Sequence, residues 1–392
     1  MYVGVLRERA KGERRVALVP EAVAQLVALG HRVGIEAGAG EGAHFADRHY
    51  AAEGAEIVAD AAAIVRQADV LLAVRLPDEA VLAEARPGTV LIGLLSPLSR
   101  PEQMQELAEK GLTAFSLDAI PRVTRAQPMD VLSSMSTVAG YRAVMLAAML
   151  SERFFPMLMS AAGTIAPAKV LVLGAGVAGL QAIATARRLG AVVHGFDARP
   201  AVKEQVESLG ASFLSLPEVQ LEGEGGYARA VAADEEARER AFLAEPVKAA
   251  DVVITTAMVP GARAPLLIDE DMVASMRPGS VIVDLAAEAG GNCALTVPGE
   301  RVVVHGVVVE GATDLPSQMA APASQLFARN VVNYLQHLFA HGVRPQEGAP
   351  PALISTQDEI VCATLITHDG KVVHEGTRAS LSRPSSHAGT DT

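Results

Sequence analysis

Apolar residues along this chain fall into short continuous runs, separated by stretches in which they recur every three or four positions. The runs Val3–Leu6, Val33–Glu36, Val70–Val74 and Val90–Leu95 predict strands. Between them, Pro20–Leu29 repeats at helical spacing, with proline at its start and Gly30 just past its end, and so predicts a helix. The alternation resumes at Lys169–Leu173, Ala191–Phe196, Val252–Thr256, Ser280–Asp284 and Val302–His305. Two long periodic stretches, Met129–Ala162 and Gln318–His341, predict helices that connect the halves. The second is expected to return the chain to the first half. That predicts a discontinuous α/β domain at residues 1–128 plus 330–378 and a second at 129–329. The Gly- and Glu-rich span Leu216–Asp234 is expected to be irregular, and its length suits either a lid over a site or a solvated insertion. The Ser-, Pro- and Thr-rich residues 379–392 are expected to be a disordered tail.

The run Lys169–Leu173 leads into Gly174-Ala175-Gly176-Val177-Ala178-Gly179 and an Ala-rich helical pattern. Strand, G-x-G-x-x-G and helix stand in the order that dinucleotide binding requires. Gly174 permits the turn, Gly176 lets backbone N–H groups approach a pyrophosphate, and Gly179 lets helix and strand pack closely. The next strand ends at Asp197, where a carboxylate meets the adenosine ribose hydroxyls and repels a 2′-phosphate. NAD(H) is therefore the expected cofactor, with Ala198 and Arg199 beside that acid. The fold class this predicts is α/β, with two Rossmann-like doubly wound parallel-sheet domains joined by long helices.

Composition narrows the picture. The chain has 392 residues, 50% of them hydrophobic and only 4% aromatic, so its cores must be built from Ala, Val and Leu. A formal charge of −12 argues against a nucleic-acid partner. Cys293 and Cys362 make neither a disulfide framework nor a metal site, no metal is expected, and both cysteines read as small core residues. The N-terminal residues lack the apolar centre of a signal sequence. Ala143–Gly163 is interrupted by Glu152 and Arg153 and reads as buried helix, not a membrane span.

One junction is unusually polar: Arg122, Val123, Thr124, Arg125, Gln127, Pro128, Met129, Asp130 and Ser133 precede Ala139-Gly140-Tyr141-Arg142. Two readings stand. Arg122 pairs with Asp130 and shapes a loop whose Gln127 and Ser133 meet a bound carboxamide or ribose. Alternatively, Asp130 merely caps the following helix and the arginines are solvated.

This junction closely resembles the Arg-Gln-Asp loop of the NAD(H)-binding component of proton-translocating NAD(P) transhydrogenase, in the alanine dehydrogenase/transhydrogenase family. The glycine turn matches as well, as do Gly225-Gly226-Tyr227, Thr255–Gly261 and Asp284–Asn292, and the resemblance covers about residues 1 to 375. It implies an enzyme that is active only with its partners and transfers hydride directly, with Re/Si specificity, from NADH to NADP⁺ on another chain. It also implies a homodimer, an NADP(H)-binding subunit, a membrane-spanning proton-translocating subunit, and a cytoplasmic place at the inner face of the plasma membrane. By resemblance, Arg122, Gln127, Asp130 and Ser133 serve the nicotinamide end, with Val123, Thr124, Pro128 and Met129 beside them. Gly174, Ala175, Gly176, Val177 and Gly179 hold the pyrophosphate, and Asp197, Ala198 and Arg199 the ribose. Gly226 and Tyr227 fold over the site, and Thr256, Ala257 and Met258 line its adenine side.

Alanine dehydrogenase is the nearest rival. Arg15 suits its carboxylate-binding arginine, but Arg75 and Ser96 stand where a lysine and a histidine are expected. A permanently charged guanidinium shuttles no proton, and serine is no imidazole. A third reading is a non-catalytic NADH-binding regulatory module. Glu239 stands near where the transhydrogenase pattern has glutamine. Glu288 and Asn292 follow a strand at the edge where α/β ligands bind. His31, His44, His49, His194, His305, His337 and His341 show no ligand spacing or partner acid and read as solvated or capping residues.

Overall fold

The computed structural model describes residues 1–216, 233–259, 261–341, 355 and 357–382. The chain forms two compact units, Met1–Met135 with Ser317–Thr392, and Ser136–Pro316. The division falls inside the helix Val131–Leu150.

The first unit holds an eight-stranded sheet in the order Lys371–Val372, Leu365–His368, Thr113–Ser116, Val90–Leu94, Val70–Arg75, Tyr2–Val5, Arg32–Glu36, Glu56–Val58. The last six are parallel to their neighbours, and the C-terminal pair joins as an antiparallel hairpin at the edge. The short strand Glu56–Val58 has no apolar run to announce it. The strand order runs outward in both directions from Tyr2–Val5 and Val70–Arg75, which is the switch of a doubly wound sheet. Strands here are buried on both faces, which is why they read as unbroken apolar runs. Helix Ala320–His341 packs Phe327, Val331, Tyr334, Leu335 and Leu338 inward.

The second unit holds a seven-stranded sheet in the order Ser212–Leu214, Val192–Phe196, Lys169–Leu173, Val252–Thr255, Val281–Asp284, Val307–Gly311, Arg301–Val304. Only the last pair is antiparallel. Both units therefore have the expected doubly wound class, and the second places its switch between the strand that feeds the glycine turn and Val252–Thr255.

Four expectations are corrected. The helix expected over Met129–Ala162 spans Val131–Leu150. Pro156 cannot continue a helix, and the chain instead forms an exposed hairpin, Leu158–Ser160 with Gly163–Ile165. The strand expected through His305 stops at Val304, because His305 and Gly306 adopt φ of 53° and 76° as a two-residue turn into Val307–Gly311. The first three residues of the tail expected from Ala379 are helical: they end the helix Glu375–Leu381, whose N-terminus has the His374 ring accepting the Thr377 N–H, while residues 383–392 lie outside the described residues. Of the irregular span Leu216–Asp234, residues 217–232 lie outside the described residues and a helix begins at Ala233. Cys293 is buried as expected. Cys362 is exposed, on the outer side of Glu359–Thr364, where Ile360, Val361 and Thr364 face inward.

One helix among the described residues, Val131–Leu150, is long and apolar enough to cross a membrane. Its Ala143, Val144, Leu146 and Ala147 are buried in the core of the second unit.

Candidate nucleotide site and polar loop

In the second unit, Gly174 follows its strand at φ 95°, a conformation costly to residues with a Cβ, and its N–H donates to the Phe196 carbonyl at 2.8 Å. A Cβ on Gly179 would lie 1.8 Å from the Gly174 carbonyl oxygen, so only glycine lets the helix Val177–Arg188 approach. Gly176 behaves differently: a Cβ there meets nothing within 4 Å. The second glycine is thus not needed for packing. It leaves open space at the N-terminus of a twelve-residue helix, the cradle a pyrophosphate needs.

Asp197 is nearly enclosed and joins this turn to its neighbours. It accepts the Ala175 N–H at 2.7 Å and the Arg199 N–H at 2.9 Å. The Arg199 side chain adds Nε and Nη2 at 2.9 Å each. Oδ2 thus ties Asp197 to the glycine turn, and Oδ1 ties it to Arg199. A cavity of about 60 Å³ opens beside Phe196, Asp197, Ala198, Lys203 and Glu239. The residues present therefore fit a nicotinamide nucleotide: open space at a helix N-terminus beside Gly176 and a carboxylate, Asp197, fixed to the same turn.

Thr256, Ala257 and Met258 follow the next strand, and Met258 is exposed. Asn292, with no exposed surface, fixes this segment through Ala257 N–H to its Oδ1 at 3.1 Å and its Nδ2 to the Ala257 carbonyl at 2.9 Å. Asn292 is thus a buried fastener and does not line the site, whereas Glu288 is exposed. Beneath it, buried Asp284 accepts from the Thr255 hydroxyl, the N–H groups of Ala286, Asn292 and Cys293, and the Thr296 hydroxyl. Gly226 and Tyr227 lie outside the described residues.

In the first unit, Thr124–Met129 forms a single 3₁₀ segment, and Asp130 ends it. Asp130 accepts the Ser133 N–H at 2.9 Å and the Ser133 hydroxyl at 2.5 Å, so it does cap the helix. Arg122 and Gln127 are exposed, while Ala126 and Met129 anchor the segment in the core. Sequence reasoning missed two side chains here. Asn330 and Asn333 both donate to the Pro128 carbonyl, at 2.8 and 3.0 Å. Their signal was polarity at i and i+3 in an apolar helix. It also missed that His337 has a partner acid. His337 Nε2 lies 2.9 Å from Asp358, a residue 21 positions later and out of reach of local spacing. His337, His341 and Asp358 bring ligand-type atoms within 4.8 Å of one another, but Asp358 is already engaged by two backbone N–H groups, His337 and Arg125.

A second polar cluster sits at the switch of the first sheet. Buried Arg15 pairs with Glu13, and Arg75 Nε reaches the same carboxylate at 2.9 Å. Burial works to raise the Glu13 carboxyl, but Arg15 and then Arg75 outweigh it and hold it at about 2. Glu8 accepts the Val74 and Arg75 N–H groups, and burial pushes its carboxyl up to about 7. Between the ordinary carboxylate value and about 7, folded Glu8 keeps a proton that the unfolded chain has released. Stability is therefore predicted to fall as pH rises through that window, by up to about 3 kcal/mol, and then to level off. Melting of the wild type and Glu8→Gln at about pH 5 and pH 8 checks this: the variant should lose less on going to the higher pH. Ser96, at φ 53°, donates its N–H to Asp118 and brings no imidazole here.

The Alanine dehydrogenase/PNT N-terminal domain matches residues 4–139, and the Alanine dehydrogenase/PNT C-terminal domain matches residues 143–375. The chain belongs to the alanine dehydrogenase/PNT family. It is 47% identical over 388 residues to an alpha-subunit chain of NAD(P) transhydrogenase from Rhodospirillum rubrum, covering 95% of this chain and 98% of that one. To alanine dehydrogenase of Mycobacterium tuberculosis it is 31% identical over 391 residues, covering 98% of each. The solved structure of transhydrogenase from Sinorhizobium meliloti superposes with a TM-score of 0.83 at 42% identity, covering 96% of this chain and 99% of that one.

Proposed function

We propose that this chain is the NADH-binding component of a proton-translocating NAD(P) transhydrogenase. Its cofactor, when bound, supplies hydride to NADP⁺ held by a separate subunit. The observation that carries this reading is the cradle: open space at Gly176, a helix N-terminus, and the Asp197 carboxylate fixed to the same turn. The higher identity to transhydrogenase relatives favours that reaction over alanine oxidation, as does Arg75, held by Glu13 where a titrating lysine would be needed.

The role of this chain's residues is to bind, orient and exclude water. The N–H groups of Gly176 and Val177, past the Ala175 N–H that Asp197 takes, meet the pyrophosphate, and Asp197 meets the ribose hydroxyls. Thr256, Ala257 and Met258 line the adenine side. Arg122, Gln127, Asp130 and Ser133 are assigned to the nicotinamide end, with Gln127 directed to the partner's nucleotide. The fold over the site falls to Gly226 and Tyr227. No side chain has to move a proton for hydride transfer, which suits a loop whose ionisable groups are arginines and a capping aspartate.

We also assign a homodimer, and a membrane-spanning subunit as the further partner that couples transfer to proton movement and holds the chain at the cytoplasmic face. Helix Ala320–His341 buries its apolar face in its own unit, so it does not supply the dimer surface. The exposed Met149 at the end of Val131–Leu150, Phe154 and Met157 in the link after it, and Met159 on the hairpin are a better candidate. Sedimentation at micromolar concentration should give a dimer, and a clean monomer would refute it.

Calorimetry tests the nucleotide assignment. NADH should bind more tightly than NADPH. Asp197→Ala should weaken NADH by about tenfold and narrow the difference, because Arg199 is released to meet a 2′-phosphate. Equal affinity of the wild type for the two nucleotides contradicts it.

A further inference from the structure

The segment Thr124–Met129 is a short 3₁₀ run joined to the chain on either side. Ala126 N–H bonds to Val123 and Asp130 N–H to Gln127, and Pro128 contributes no N–H at all. Helix Val131–Leu150 starts only beyond it. A carbonyl has two lone pairs, and both Pro128 acceptor positions are filled from one face of helix Ala320–His341, by Asn330 Nδ2 at 2.8 Å and Asn333 Nδ2 at 3.0 Å. A second fastening lies three residues earlier. Arg125 bonds Glu359 at 2.9 Å and Asp358 at 3.5 Å, and His337, on the same long helix, bonds Asp358.

We propose that Asn330 and Asn333 are positioning residues: they clamp the Pro128 carbonyl and so fix the backbone that carries Gln127 and Asp130 for hydride transfer. The proposal rests on the assignment of those two residues to the reaction. The physical pointer is Asn330 itself. It is 7% exposed, and its Oδ1 meets no partner among the described residues. Half of a buried amide is thus left unsatisfied, which a leucine of the same shape would avoid. What the amide contributes at that position is its donor, and the donor is spent on the loop. Gln127 is exposed, so its position is set by its neighbours: Ala126 and Met129 buried in the core, and Pro128 and Arg125 held by hydrogen bonds. A reacting side chain displaced by about an ångström loses rate steeply, while the same displacement leaves the glycine turn of the other unit unchanged.

The test uses Asn330→Leu/Asn333→Leu in the full chain, with Asn333→Leu alone, at a half-buried position, as the variant that folds if the double does not. Amide hydrogen exchange is measured over residues 124–130 in the chain without nucleotide. NADH affinity and single-turnover hydride transfer are measured with the NADP-binding subunit. Exchange over 124–130 should rise about tenfold with the rest of the unit unchanged. Transfer should slow about tenfold with NADH affinity held within about twofold. Asn333→Gln, which keeps an amide donor, should retain the wild-type rate. Unchanged exchange overturns the clamp, and raised exchange with an unchanged rate overturns its role in positioning. Gln127→Asn, run beside it, separates the two ideas. A slow Gln127 variant with a normal asparagine pair sinks the clamp alone. A slow asparagine pair with a silent Gln127 variant keeps the clamp and sinks the assignment of Gln127.

Discussion

Gly179→Ala should fold poorly and bind no NADH, whereas Gly176→Ala should fold normally and bind NADH at least about tenfold more weakly. The two glycines lie three residues apart in one motif, and the physics separates them. A methyl on Gly179 would stand 1.8 Å from the Gly174 carbonyl oxygen and 3.1 Å from the Thr256 hydroxyl, so helix and strand must part. Forced separation of packed backbone costs about 1–3 kcal/mol or more. At Gly176 the methyl enters open space and costs the free protein little. It fills the volume a pyrophosphate would take and blocks its approach to the N–H groups of the turn. Thermal melting beside NADH calorimetry reads both effects. Normal NADH binding by Gly176→Ala would show that the open space is not the phosphate cradle.

Asp284→Ala should unfold the second unit or lower its stability by about 3–5 kcal/mol. The carboxylate lies under the loop that carries Thr256 to Met258 and accepts five donors, three of them backbone N–H groups from Ala286, Asn292 and Cys293. Removing it strands all five in a fully buried place. Asp284→Asn is expected to be little better, since its amide nitrogen would face donors instead of accepting from them. Denaturant unfolding of the isolated chain measures the loss. A variant within about 1 kcal/mol of the wild type would mean that water replaces the carboxylate, and the knot would not be what holds Asn292 and the adenine-side segment.

The parallel strands were legible because burial on both faces writes them as apolar runs, and the glycine turn because its three positions have separate steric duties. Asp197 could be read from its place at a strand end. Asp284 and Asn292 showed in the sequence only as polar residues after a strand. That one is a knot and the other a fastener depends on donors that arrive from distant turns. The hairpin after Leu150 was hidden because Met, Leu and Ile serve a helix and an exposed strand equally well, and only Pro156 betrays the change. The clamp on Pro128 joins residues 202 and 205 positions apart, and the His337–Asp358 pair spans 21. Local spacing carries no signal for such pairs. Asp130 shows how two readings of one residue can coexist: it caps its helix, and a capped helix start is also a fixed place from which to present Gln127.

In the proposed reaction this chain presents NADH to a nucleotide held by another subunit, with Gln127 reaching across. Stopped-flow single-turnover transfer from NADH to NADP⁺, with the NADP-binding subunit added to wild type or Gln127→Asn, tests it most directly. Rapid transfer is expected only when both chains are present, with at least about tenfold slower transfer in the variant at unchanged NADH affinity. No transfer in the wild-type mixture, with turnover of NAD⁺ and alanine by this chain alone at roughly 1–10³ s⁻¹, would contradict it.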